Sequence, residues 1–105
     1  KNPMVGKTLP LSHELFDFAE TIFDVLESRQ VTLSKKGEDK GVRLSFEGFP
    51  YLIVWSKPEG DFVAVEPWGG LSTCSDEDDV LEHKRGCLIA KPKETIVRSF
   101  TIEIL

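Results

Sequence analysis

Cysteine is scarce in this chain, with only Cys74 and Cys87 among 105 residues. Two cysteines without C-x-x-C spacing exclude a disulfide-dense scaffold and a metal knuckle. Two free thiols in a reducing compartment, not bonded to each other, are expected. Basic runs are equally short, since no Lys/Arg block exceeds a pair and the net charge is −5. That excludes the concentrated basic face that nucleic-acid binding requires. No apolar run approaches the roughly 20 residues that cross a bilayer. The opening KNPMVGKTLPLS lacks the unbroken apolar core of a secretory signal. The expectation is a cytoplasmic protein without nucleic-acid or membrane partners. The acidic run at residues 75–79 lacks the glycine and terminal glutamate of an EF-hand, and reads as a solvated loop. No metal or cofactor is implied.

What is present is ordinary for a folded protein: 40% hydrophobic and 30% charged residues, within the length of one domain. Residues 1–105 are therefore expected to act as a single unit. After an entering loop to Pro10, Ser12 offers a helix N-cap with Glu14 in the first turn, predicting one or two helical turns over 13–18. Short runs rich in β-branched and aromatic residues then follow at 31–33, 42–46, 51–55, 62–65, 87–90 and 95–104. Turn chemistry separates them at Glu47-Gly48-Phe49-Pro50, Lys57-Pro58-Glu59-Gly60 and Pro67-Trp68-Gly69-Gly70. Such spacing predicts an all-β antiparallel sandwich, with 42–46, 51–55 and 62–66 as antiparallel neighbours. In the last run Arg98 interrupts an apolar side, so it sits at a rim or pairs with a carboxylate.

The densest feature is FEGFPYLIVWSKPEGDFVAVEPWGG at residues 46–70, which holds both tryptophans and the single tyrosine. Glu66 follows an apolar strand, and Pro67 is expected to end the ladder there. A carboxylate so placed is either exposed at the end of the sheet or held in a pocket. Trp55 and Trp68 are candidates to wall such a pocket. Flat aromatic faces suit the C–H faces of a sugar, and a carboxylate accepts its hydroxyl protons.

The ordered strings GFPYLIVWS and FVAVEPWGG, preceded by LPLSHELF and TIFDVLESRQVTL and followed by LEHKRG, resemble the C-terminal part of aldose 1-epimerases. The likeness is to the bacterial branch associated with lactose operons, and it extends over essentially the whole chain. The resemblance implies part of a large antiparallel β-sandwich that binds a free hexose in an open cleft. It also implies that Glu66 is the general base, taking the proton of the anomeric hydroxyl while a histidine protonates the ring oxygen. The ring opens, the aldehyde end rotates, and reversal closes the other anomer. Base and acid must act together, because each charged intermediate is costly alone.

The sequence departs from that pattern in two places. The family's histidines belong to an N-terminal portion that these residues do not match, and His13 and His83 read as surface residues. Where many relatives carry a sugar-contacting aspartate, Ala19 stands, leaving Asp17 or Glu20 as substitutes. Glu20 is the substrate-binding candidate. A sandwich cut at this point is expected to expose strand edges and apolar surface, covered by a missing N-terminal half or a second copy. Two other readings fit the same residues: a carbohydrate-binding β-domain without chemistry, and a structural β-domain with both tryptophans in its core. The sequence does not identify the sugar.

Overall fold

The computed structural model describes residues 4–17, 20–71 and 75–105. Its regular structure is all-β apart from two 3-10 turns, His13–Phe16 and Leu81–His83. The six strands are β1 Thr21–Phe23, β2 Gln30–Ser34, β3 Gly41–Ser45, β4 Tyr51–Trp55, β5 Ala64–Trp68 and β6 Thr101–Ile104. They form two antiparallel three-stranded sheets, ordered β1-β4-β5 and β2-β3-β6. The expected all-β class stands. The turn near the N-terminus is also there, but it is shorter than expected and the Ser12 side chain makes no cap bond.

Three expectations about strands are corrected. β3 and β4 are not neighbours, because the chain crosses from one sheet to the other between them. Residues 87–90 enter no ladder, and of 95–104 only Thr101–Ile104 pairs, against β3. Apolar alternation makes a strand only where a partner edge is available. The segment expected at 62–66 begins later and runs on to Trp68. Arg98 takes the rim option: it is exposed, donates to the Val97 carbonyl, and lies over the Gly48 turn.

Period-two alternation sets the faces. In the β1-β4-β5 sheet, Phe23 pairs with Leu52 and Leu52 with Pro67, so these share one face with Val54 and Val65. In the other sheet, Val31 pairs with Leu44 and Leu44 with Ile102. These two faces meet. Leu44, Phe46 and Leu52 form the buried cluster, with Phe23, Leu26, Val31, Phe49 and Val65 packed around it. Phe46 and Leu52 are essentially inaccessible, each stabilising by about 1.5–3 kcal/mol through burial. β4 is buried on both faces from Tyr51 to Val54, which is why it is the central strand of its sheet.

Arg29 holds the crossing itself. Its Nη1 donates to the Phe49 carbonyl at 2.7 Å, its Nη2 donates to the Leu26 carbonyl, and its guanidinium lies 5.1 Å from the centroid of Phe46. The Phe46 amide donates back to the Arg29 carbonyl at 3.0 Å. Beyond this core the molecule is open. Its radius of gyration is 15.8 Å, against roughly 13 Å for a compact domain of this length. Ile102 and Ile104 lie on the inner face of their sheet yet remain 59% and 77% exposed.

Arg29→Met keeps an apolar stem but strips both carbonyls of their donor. Leaving them unpaired near the core should cost about 1–3 kcal/mol. Urea denaturation should show the midpoint falling with little change in slope. An unchanged midpoint would mean that Arg29 does not hold the crossing.

Candidate functional site

β5 carries the site because its two faces differ. Val65 and Pro67 face the core, while Ala64, Glu66 and Trp68 face away from it, paired with Trp55, Ile53 and Tyr51. Glu66 therefore stands in the middle of its strand and not at its end, a correction to the expectation drawn from Pro67. The proline stays in the ladder, opposite Leu52, because β5 is bonded to β4 alone. On such an edge the missing N–H removes nothing from the sheet.

The register brings Glu66, Trp55 and Trp68 to one face. Trp68 is two residues along the strand, and Trp55 is the diagonal neighbour, at about 7–8 Å between Cα atoms for that geometry. Glu66 is half-buried beside the fully buried Ile53. Its carboxylate accepts no hydrogen bond and meets no cation among the described residues. A half-buried carboxylate with unspent acceptor capacity is suited to bind hydroxyls or take a proton. Glu20 immediately precedes β1. Extending the pairing of Thr21 with Val54 by one residue sets Glu20 opposite Trp55, at the same end of this face. Ala19 and Cys74 lie outside the described residues, so the aspartate substitution and the cysteine pairing are not addressed. Cys87 has a free thiol directed to the Leu88 carbonyl.

Neither histidine is bonded to Glu66. His13 bonds the Gly60 carbonyl at 3.2 Å, and His83 lies 2.7 Å from Asp78. The acidic stretch is a surface loop with its own pairs, His83 to Asp78 and Lys84 to Glu77. Among the described residues no cluster of His, Cys, Asp or Glu is placed to hold a metal ion. No helix among them is long and apolar enough to cross a membrane.

Two residues escaped the sequence reading. Phe62 packs edge-on against Trp55 with centroids 5.7 Å apart, and the every-second-residue row Phe62, Ala64, Glu66, Trp68 was its available signal. Gly86 closes the other end of the face. A Cβ there would lie 2.6 Å from the Tyr51 ring and 2.9 Å from the Gly69 carbonyl, at a φ of +74°. Only glycine lets that loop lie over Tyr51.

Over 100 residues, 94% of the chain, the sequence is 41% identical to Protein LacX of Lactococcus lactis subsp. lactis, in both its plasmid and chromosomal forms. The chain is similar to LacX. The match takes in 33% of LacX, so the chain spans about a third of the length of the curated relatives it matches. No family model and no solved structure matches the chain.

The loop that carries His83 offers a direct check on the electrostatics. The hydrogen bond from His83, followed by the Val80 amide, holds the Asp78 carboxyl below its ordinary value. A depressed folded-state value means the contribution is present above the unfolded pKa and is lost as pH falls through the folded one. Carboxyl-detected NMR titration should find Asp78 with a low midpoint that rises in His83→Ala. An unmoved midpoint would contradict the pairing.

Proposed function

We propose that this chain is the base-bearing part of an aldose 1-epimerase-like isomerase, which interconverts the α and β anomers of a free hexose in the cytoplasm. The observation that carries this reading is Glu66, an unpaired, half-buried carboxylate flanked on one sheet face by Trp55 and Trp68. The kinship with LacX agrees with the carbohydrate-metabolic resemblance of the sequence.

In this mechanism Glu66 removes the proton of the anomeric hydroxyl. Electron density moves to form the aldehyde as the C1–ring oxygen bond breaks, and an acid delivers a proton to the ring oxygen. Rotation about the C1–C2 bond and reversal of both transfers give the other anomer. Trp55 and Trp68 bind the apolar C–H surface, and Glu20 accepts hydrogen bonds from sugar hydroxyls. Neither His13 nor His83 is assigned the acid, since each is engaged elsewhere. A histidine from a segment beyond these residues fills that role, and LacX has length to supply one. Apart from that segment, the chain keeps its sugar-binding surface and performs no chemistry.

Polarimetry on a freshly dissolved single anomer tests this. The 105 residues alone should mutarotate glucose or galactose little faster than buffer. Joined to the part of LacX outside the match, they should accelerate the reaction. Glu66→Gln should then remove on the order of 10²- to 10⁴-fold, the range for a positioned acid or base. Undiminished activity in Glu66→Gln would sink the assignment of the base, and clear activity of the isolated chain would misplace the acid.

A further inference from the structure

The outer face of the β1-β4-β5 sheet is covered at one end and open at the other. Tyr51 is only 6% exposed, whereas Trp55 at the far end of β4 is 36% exposed. Arg85 and Gly86 lie over the covered end. A Cβ on Gly86 would meet the Tyr51 ring at 2.6 Å and the Gly69 carbonyl at 2.9 Å, and one on Gly70 would lie 3.7 Å from the Arg85 carbonyl. These two residues end a strap, residues 77–86, that is built around Lys84. The Lys84 amide donates to the Leu81 carbonyl at 3.1 Å, and its carbonyl accepts from the Cys87 amide at 3.0 Å. Its ammonium donates to Glu77 Oε2 at 2.9 Å. The first two bonds shape the turns on either side of Lys84, and the third ties them back to the start of the strap.

Apolar packing contributes little to holding the strap. A cleft of about 260 Å³ is bordered by Gly70 and Leu71 after β5 and by Leu81 and Leu88, and both of the latter remain exposed. Exposure also decides between the two ion pairs of the strap. The side chains of His83 and Asp78 are 63% and 56% exposed, whereas those of Lys84 and Glu77 are 24% and 13% exposed. Water screens the first pair, and the second much less. Removing one partner of a poorly hydrated pair also strands the other charge. We propose that Lys84 is a positioning residue for the outer face: paired with Glu77, it holds residues 77–86 as a strap over Tyr51 and thereby sets Trp68 beside Glu66. Tyr51 transmits the effect because it stands directly opposite Trp68, with Cβ atoms about 4.5–5.5 Å apart in such a pair. That role rests on the outer face being the functional one, whereas the seating of the strap does not.

Hydrogen exchange followed by NMR on the 105-residue chain reads the strap, and tryptophan emission in a Trp55→Phe background reads Trp68 alone. In Lys84→Met the His83 and Cys87 amides should exchange about tenfold faster, between the effects of an exposed and a buried pair. The β4 amides should stay protected, and Trp68 emission should move to longer wavelength. Lys84→Arg should restore both readings. Arg43→Met, which breaks the exposed pair with Glu103, should move neither. If Lys84→Met does not fold, Glu77→Gln makes the same test from the other end of the pair. Unchanged Cys87 exchange in either folded variant would overturn the proposal. So would faster exchange with Trp68 emission unmoved, or a failure of Lys84→Arg to restore the readings. In the joined protein, Lys84→Met should lower kcat several-fold and Lys84→Arg should recover it, and an unchanged kcat with Trp68 displaced would refute the positioning role. If the strap and Trp68 respond as expected but Glu66→Gln leaves that activity intact, the strap stands and the catalytic reading fails.

Discussion

The fold depends on how the chain passes from one sheet to the other between Ser45 and Tyr51, and Arg29 decides it. A hairpin there would have put β3 beside β4 and left a single sheet with nothing to pack on. Instead Phe46 turns inward and is wholly buried, and the guanidinium of Arg29 gathers the carbonyls of Phe49 and Leu26 over its ring. A planar fork can serve two acceptors at once while its face rests on an aromatic, which a lysine cannot do. The neighbouring carbonyls thereby stay satisfied where the backbone leaves a sheet close to the core. Phe100 then caps the turn from outside, edge-on to Phe49 at 6.4 Å.

Once the crossing is fixed, the β4–β5 ladder presents two different faces. Leu52, Val54 and Val65 lie on the face that builds the core, and Glu66 with its aromatics lies on the other. The outer row is itself packed beside buried residues, since Glu66 pairs with Ile53 and Trp68 with Tyr51. The carboxylate escapes the full penalty of a buried charge because it is only half-buried. It also escapes neutralisation by a salt bridge, since no cation among the described residues is set against it. An edge strand suits this arrangement, because one side of β5 stays open for a ligand or another segment to approach.

The strands 42–46 and 51–55 were legible because β-branched and aromatic residues cluster between strong turn signals, and the all-β class follows from them. Their adjacency was not legible. Glu47-Gly48-Phe49-Pro50 has hairpin chemistry, and nothing local announces that Arg29, far back in the chain, will claim Phe49. Glu66 was expected at the end of a strand and stands in the middle of one. The rule that proline ends a strand holds for interior strands, and β5 is bonded on one side only. Residues 95–100 alternate like a strand yet pair with nothing, since pairing depends on a free edge, which no window of sequence contains. Phe62 and Ala64 were visible in the alternation, but only the fold sets Trp55 opposite Ala64 and edge-on to Phe62.

Two surfaces of this chain would make separate demands on the acid-bearing segment of the proposed function. Ile102 and Ile104 are bare on the inner face of the β2-β3-β6 sheet, so their cover must enter between the layers. Under the proposed function, the acid that works with Glu66 would arrive over the outer face of the β1-β4-β5 sheet. These surfaces face different sides of the sandwich, and one small contact cannot satisfy both. A second copy meeting the chain through a two-fold contact would use a single patch on each partner, covering one surface and leaving the other. A longer polypeptide can wrap from one to the other, and the LacX proteins have about three times the matched length. Burial of the isoleucines would then contribute the stability that holds the acid in register with Glu66. Such a wrapping segment would couple folding of the inner face to assembly of the outer one.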